Sequence, residues 1–372
     1  MQPFFAFSRT LFPFRFQVIS RIIFVVFGLL LLFNVHSFAA DLTDVRVAMG
    51  VEQNLYAPEV FTYRDEKFMM SGGVSTFEDL FGQPPYALRP DKIYISKMDE
   101  NGNWTVPEAI RWHRRNVKDG YTEDGEKPGY QINDPSVFVR RDRRIHLFYT
   151  ALTWSPGVEV PYTEHKIGTA ISADGGETWR DFGFIHAPEH GAWAPTVRYD
   201  PKSREYWMYY HTGDSPTKTM RQRLKRSGRR TVGDPEEVHL PKVLLNPDFH
   251  VLGASSPEPQ YVLVGNAKSL STVARYVSDD GIHFDKEDHD QDPLLDFRGL
   301  MAADGERGDL FILTPSVDVL EDAGASAETR YDIYFGFDNT LEMIDGRVFP
   351  LHSESIHTWT FQNQAGALGS LD

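Results

Sequence analysis

The sequence of 372 residues contains no cysteine. That excludes disulfide bridges and any thiolate metal site, and leaves core burial as the source of stability. Basic charge is also in deficit, with 38 Lys and Arg against 53 Asp and Glu and a net charge of −15. A body this acidic is repelled by nucleic acid and by anionic lipid, so neither is an expected partner. Acid in turn is missing from residues 1–40, which carry only Arg9, Arg15 and Arg21 as charged side chains. Beyond that segment, long stretches of helical period are scarce. Short apolar or alternating runs are broken by Gly, Asp, Asn and Pro, which is the pattern of an all-β chain.

The acid-free start has three parts: a basic n-region, an apolar run from Ile22 to Phe33, and the small-residue exit Ser37-Phe38-Ala39-Ala40. Together they predict a cleaved secretory signal peptide over residues 1–40 and a secreted or periplasmic product with no membrane association after cleavage. An uncleaved anchor is the alternative, but the apolar run is shorter than the ~20 residues a spanning helix needs. Residues 41–362 are then the folded body and 363–372 a flexible C-terminal tail.

Within the body one construction recurs. Asn133-Asp134-Pro135-Ser136-Val137-Phe138 leads through a turn, Arg140 to Arg144, into the return strand Ile145 to Tyr149. Ala57-Pro58-Glu59, Trp193-Ala194-Pro195-Thr196 and Ser256-Pro257-Glu258 have the same form, each followed by an apolar strand. A strand-turn-strand unit repeating at this spacing predicts a five-bladed β-propeller of four-stranded antiparallel blades. The fourth blade is expected over Ser255 to Asp285. A fifth, over Arg298 to Phe337, shows no proline signature. Val45 to Met49 or Thr358 to Phe361 is expected to close the ring, because an open sheet edge is a liability. The basic runs Arg140 to Arg144 and Arg221 to Arg230 fall in hairpins or loops and read as solvated turns. His186, His190 and His211 flank the third blade and read as surface histidines, the alternative being that one of them holds a central ion or water.

A second pattern lies between the outer strands of a blade. Ser172-Ala173-Asp174-Gly175-Gly176-Glu177-Thr178-Trp179 has a weaker copy at Ser278 to Phe284 and a looser one at Ser96 to Trp104. An Asp that bonds amides and a Gly at positive φ make a hairpin turn, with the aromatic packing between sheets. These turns resemble the Asp-box of sialidases and other propellers, which is a folding device rather than a catalytic one.

The Asp-Pro-Ser-Val-Phe and Trp-Ala-Pro-Thr-Val stretches resemble the five-bladed propeller glycosidases of the arabinanase, β-xylosidase, levansucrase and invertase superfamily. That resemblance implies an exported glycoside hydrolase or transglycosylase acting on a neutral oligo- or polysaccharide, without cofactor or metal, and working as a monomer. It makes Asp134 the base or nucleophile, with Glu258 as general acid and Glu59 as alternate acid or pKa modulator. Two carboxyls must flank the bond, one protonated and one ionised. Side chains at i and i+2 of a strand share a face, which puts Glu59 and Glu258 toward the same funnel as Asp134. Trp193 and Trp154 are candidates to stack on a sugar ring, and Arg298 to bind a hydroxyl or carboxylate. Blade one departs from the family by having Ala57 where an Asp is expected. A glycan-binding or polysaccharide-assembly propeller without catalysis is therefore kept as an alternative. A sialidase-like hydrolase, relying on Arg298 and Arg198, comes third.

Overall fold

The computed structural model describes residues 46–50, 55–73, 92–114, 129–154, 164–213, 217–242, 244–252, 260–267, 272–284, 295–296, 311–319, 329–338, 341–344, 347–350 and 355–363. All of them belong to one compact unit, Arg46–Asp372. No helix among them is long and apolar enough to cross a membrane.

The described residues form antiparallel sheets, each laid down as a meander, in a β-propeller arrangement. After β1 (Arg46–Gly50), the first sheet is β2 (Leu55–Tyr63), β3 (Glu66–Gly73), β4 (Lys92–Lys97) and β5 (Glu108–Ala109). The short β6 (Trp112–Arg114) runs on to the outer edge of the next sheet, where it pairs in parallel with that sheet's last strand. That sheet consists of β7 (Gly129–Val139), β8 (Ile145–Trp154), β9 (Lys166–Ser172) and β10 (Trp179–His186). The third holds β11 (Trp193–Asp200), β12 (Glu205–His211), β13 (Thr219–Leu224) and β14 (Thr231–Glu237). In the fourth, β15 (Leu244–Leu252), β16 (Gln260–Ala267), β17 (Thr272–Ser278) and β18 (Leu295–Asp296) follow in order. The last is assembled from β19 (Phe311–Val319) and β20 (Thr329–Asp338), with a hairpin of β21 (Leu341–Ile344) and β22 (Arg347–Pro350) looping out before β23 (Ser355–Asn363). β1 lies against β23, so both stretches expected to close the ring take part in doing so.

Each first strand touches the next one round, and β19 returns to touch β2. These inner strands carry the same bulge. From Tyr56 to Glu59, β2 advances three residues while its partner moves two, from Gly72 to Met70. The identical slip separates Asn133 from Ser136, Trp193 from Thr196, Leu245 from Asp248, and Leu313 from Ser316. A bulge of this kind bends the strand and re-aims its side chains. At its centre sits a residue followed by proline. Ala57, Asp134, Ala194 and Asn246 all hold φ between 45° and 49°, a left-handed conformation uncommon for non-glycine residues.

The bulge corrects two expectations. The fourth inner strand is opened by Asn246-Pro247-Asp248, not by Ser256-Pro257-Glu258; Gln260–Ala267, the run just after that motif, is the second strand. The last inner strand does carry the signature, at Thr314-Pro315-Ser316. Apolar layers fill the gaps between sheets: Phe61, Phe68, Leu147 and Trp179 in one, Phe148, Val197 and Met208 in the next, and Tyr209, Phe249 and Leu263 in a third.

The Asp turns hold the outer strands. Asp174 accepts the Thr178 amide at 3.0 Å, and the Trp179 indole, fully buried, donates to the Gly176 carbonyl at 3.0 Å. Asp280 accepts the Ile282 and His283 amides, each at 2.8 Å, ahead of buried Phe284. Asp99 accepts the Asn101 and Asn103 amides at 2.9 and 2.8 Å. Partial burial works against ionisation of Asp280, but the His283 and Ile282 amides outweigh it and hold this carboxyl well below the usual range.

Candidate functional site

The bulges converge on a small cavity lined by their prolines and by Glu59, Asp134, Ala194, Thr196, Asp248 and Ser316. Its volume, about 20 Å³, leaves room for little more than one water.

The residue after each bulge proline reaches across to the next inner strand. Glu59 Oε1 accepts the Val137 amide at 3.1 Å, and Ser136 Oγ accepts that of Val197 at 3.0 Å. Thr196 Oγ1 accepts the Phe249 amide at 3.1 Å, and Asp248 Oδ2 that of Val317 at 2.7 Å. Ser316 Oγ completes the circuit by donating to Glu59 Oε2 at 3.3 Å. The circuit is a clasp: four of the sheets offer a side-chain acceptor to the backbone of the next, and the last donates a hydroxyl to the Glu59 carboxyl of the first. Each inner strand is the edge of its sheet, and each of those four acceptor bonds satisfies an amide on that open edge.

Arg198 bridges this circuit. Its guanidinium lies 3.0 Å from Glu59 Oε1 and 3.0 Å from Asp248 Oδ1. Both carboxylates are almost wholly buried, with side chains 5% exposed. His250 Nε2 is 2.8 Å from the other oxygen of Asp248, and Thr196 Oγ1 donates to Asp248 Oδ1 at 3.0 Å. The two acids are pushed in opposite directions. Burial raises the Glu59 pKa, and the negative charge of Asp248 adds to it; Arg198 and the Val137 amide pull the other way without cancelling it. For Asp248 burial is overcome by His250, Arg198 and the Val317 amide, which together hold the carboxyl below its ordinary value. The cluster thus has one carboxyl biased toward its neutral form beside one that stays ionised, an arrangement that separates acid from base roles.

Of the residues singled out from sequence, Asp134 and Glu59 line the same cavity. Asp134 is only partly buried and, of the five residues that precede a bulge proline, is the sole ionisable one. Trp193 begins β11, its indole donating to the Thr212 carbonyl at 3.3 Å and its ring 5.0 Å from that of His211. Trp154 ends β8. Glu258 and Arg298 lie outside the described residues. Sequence reasoning overlooked Asp248 and His250 and gave Arg198 only a minor part. The signal is present in the sequence: Asn246-Pro247-Asp248 matches Ala57-Pro58-Glu59 in form, but Pro257-Glu258 ten residues later matches it equally well. His211, expected at the surface, is fully buried, and that burial holds its pKa down at about 3.

No protein-family model matches the sequence, and no curated protein matches it. Solved structures do match in fold. A thermostable family-43 glycoside hydrolase superposes with a TM-score of 0.52 at 13% identity, covering 82% of this chain and 95% of that one. An N-acetylgalactosamine deacetylase from F. plautii, solved with blood group B trisaccharide, gives 0.58 at 12% identity, covering 86% and 95%. A β-xylosidase gives 0.52 at 10% identity, with the same coverage of 86% and 95%. At these identities the likeness is one of fold: the chain has the β-propeller fold of glycoside hydrolases.

Proposed function

We propose that this chain is an exported glycoside hydrolase built as a five-bladed propeller, with Asp134 and Glu59 as its acting carboxyls. One observation carries the reading: Asp134 and Glu59 line a single cavity where the inner strands meet. Asp134, as the base, takes a proton from water as that water attacks the anomeric carbon. Glu59, inclined by burial to keep its proton, delivers it to the departing glycosidic oxygen. Arg198, itself anchored on Asp248, holds Glu59 in place, and the substrate is a neutral oligosaccharide. The five inner strands with their shared bulge support the blade count, and the Asp174, Asp280 and Asp99 turns support reading them as Asp-boxes. Export rests on the acid-free basic and apolar start of the chain.

The test is Asp134→Asn on a panel of aryl glycosides and neutral oligosaccharides. Hydrolysis is expected to fall at least ~100-fold, the scale of losing a positioned base, with an unchanged melting temperature. Full activity in that variant would refute the assignment.

A glycan-binding propeller without catalysis is the second reading, and the clasp favours it. Both oxygens of Glu59 and both of Asp248 already accept bonds from Arg198, Ser316, Thr196, His250 or neighbouring amides. Saturable binding of a neutral oligosaccharide with no turnover by the wild-type protein would establish that alternative.

A further inference from the structure

The two basic runs that the sequence scatters through separate hairpins meet in space. A cleft of about 660 Å³ lies between the second and third sheets, at the hairpin that follows β7. It is lined by Arg140, Arg141, Arg204, Arg223, Lys225 and Arg226, against only two carboxylates, Asp142 and Glu205. Those two acids are engaged: Asp142 pairs with Arg140 at 3.4 Å, and Glu205 with Arg223 at 2.9 Å. Arg141, Arg204, Lys225 and Arg226 form no ion pair with another described residue. This concentration of positive charge stands on a chain whose net charge is −15. The crowding is felt by the groups nearby. Arg229 is drawn below its ordinary value by partial burial and by Arg180, Arg144 and Arg140.

The cleft also offers an aromatic wall. Tyr206 stacks on Phe138 at 4.6 Å and leans against Tyr199 at 5.2 Å, and Tyr199 is 39% exposed. An open tyrosine face beside a row of guanidinium groups matches a ring with C–H faces and carboxylate substituents. The volume falls in the range of small-ligand sites. A bounded cleft on an acidic body disfavours a long nucleic acid, whose phosphates away from the cleft meet like charge.

We propose that this cleft binds a carboxylate-bearing oligosaccharide, a short oligouronate, at a site separate from the axial cavity. The saccharide part of this assignment rests on the carbohydrate reading above; the anionic part rests on the cleft alone.

Isothermal titration with trigalacturonate tests it, with its methyl ester, inorganic phosphate and a single-stranded oligodeoxynucleotide as comparison ligands. Trigalacturonate is expected to bind and to weaken several-fold as salt rises through the range where Debye screening sets in. The Arg141→Gln, Arg226→Gln double variant should bind it at least ~10-fold more weakly, the loss expected for two charge-assisted contacts. Tyr199→Ala should weaken it several-fold, while Asp134→Asn leaves it unchanged. Equal binding of the ester, or of phosphate, would overturn the proposal, as would tighter binding of the oligonucleotide. Loss of binding in Asp134→Asn would place the ligand at the axis and overturn it too. Because Asp134→Asn is read separately for hydrolysis and for uronate binding, failure of one assignment leaves the other visible.

Discussion

Arg198 is the residue on which the axial chemistry depends, because it is the cation between two buried carboxylates. Replacing it with Met keeps most of its bulk but leaves Glu59 and Asp248 buried without that charge. Breaking a buried pair in this way costs about 3–5 kcal/mol. Arg198→Met is therefore expected to lower unfolding stability by that amount in urea titration. Glu59→Gln combined with Arg198→Met should lose less than the sum of the single changes, since the pair is coupled at 3.0 Å. Additive losses would show that the two groups act independently. None of this was legible from Arg198 itself, an arginine in an apolar strand. Its meaning comes from what stands opposite: Glu59, 139 positions earlier in the chain, and Asp248, 50 positions later. No local pattern reports such a meeting.

At the scale of the element, the bulge decides which side chains look inward. Ala194 is buried and holds φ at 49°, where a side chain is tolerated at a cost and glycine is not penalised. Ala194→Gly is accordingly expected to shift the melting temperature little, the relief of strain offsetting the added chain entropy of about 0.4–1 kcal/mol. Ala194→Val adds β-branching at a left-handed position and should destabilise by more than about 2 kcal/mol. Thermal melts of the two variants decide it; a tolerated valine would mean that the bulge is not maintained. The meander rhythm and the Asp turns were legible in the sequence because each is local: a proline after a fixed residue, or an Asp two to four places before the amides it caps. Register was not. The fourth sheet was ambiguous because two Pro-acid steps, Pro247-Asp248 and Pro257-Glu258, stand ten residues apart in the sequence. Only pairing with Ala267 to Gln260 tells which of them faces the axis. The last sheet was less legible because Thr314-Pro315-Ser316 carries neither the acid of the first, second and fourth motifs nor the Trp of the third.

At the largest scale, the last sheet joins the first and last described strands. β1 supplies the outer strand against β23, so deletion of residues 41–50 would bare the edge of the final sheet. Such a variant is expected to aggregate on mild heating, and light scattering during a melt would register it. Stability should also vary with pH, for a reason spread over the second and third sheets. Burial depresses His146 and His186 to about 4 and His211 to about 3, from an ordinary 6.5. In the unfolded chain these imidazoles take up protons as pH drops through about 6.5, whereas in the folded protein they stay neutral until about 4 or 3. The unfolded state therefore binds more protons across that window, and acidification favours unfolding by up to about 1.4 kcal/mol per pH unit for each histidine. Glu59 acts in the opposite sense, its raised pKa adding stability as pH falls toward 4.5, but it is one group against three. The melting temperature is thus expected to hold above pH 7 and decline steadily from pH 6.5 to 4.5. His211→Phe should flatten the slope by roughly a third, filling the same space beside Trp193 with a ring that cannot be charged. A wild-type melting temperature level across this interval would mean that the three imidazoles are reached by water in the folded protein, and that the sheets around them are less tightly closed than their burial implies.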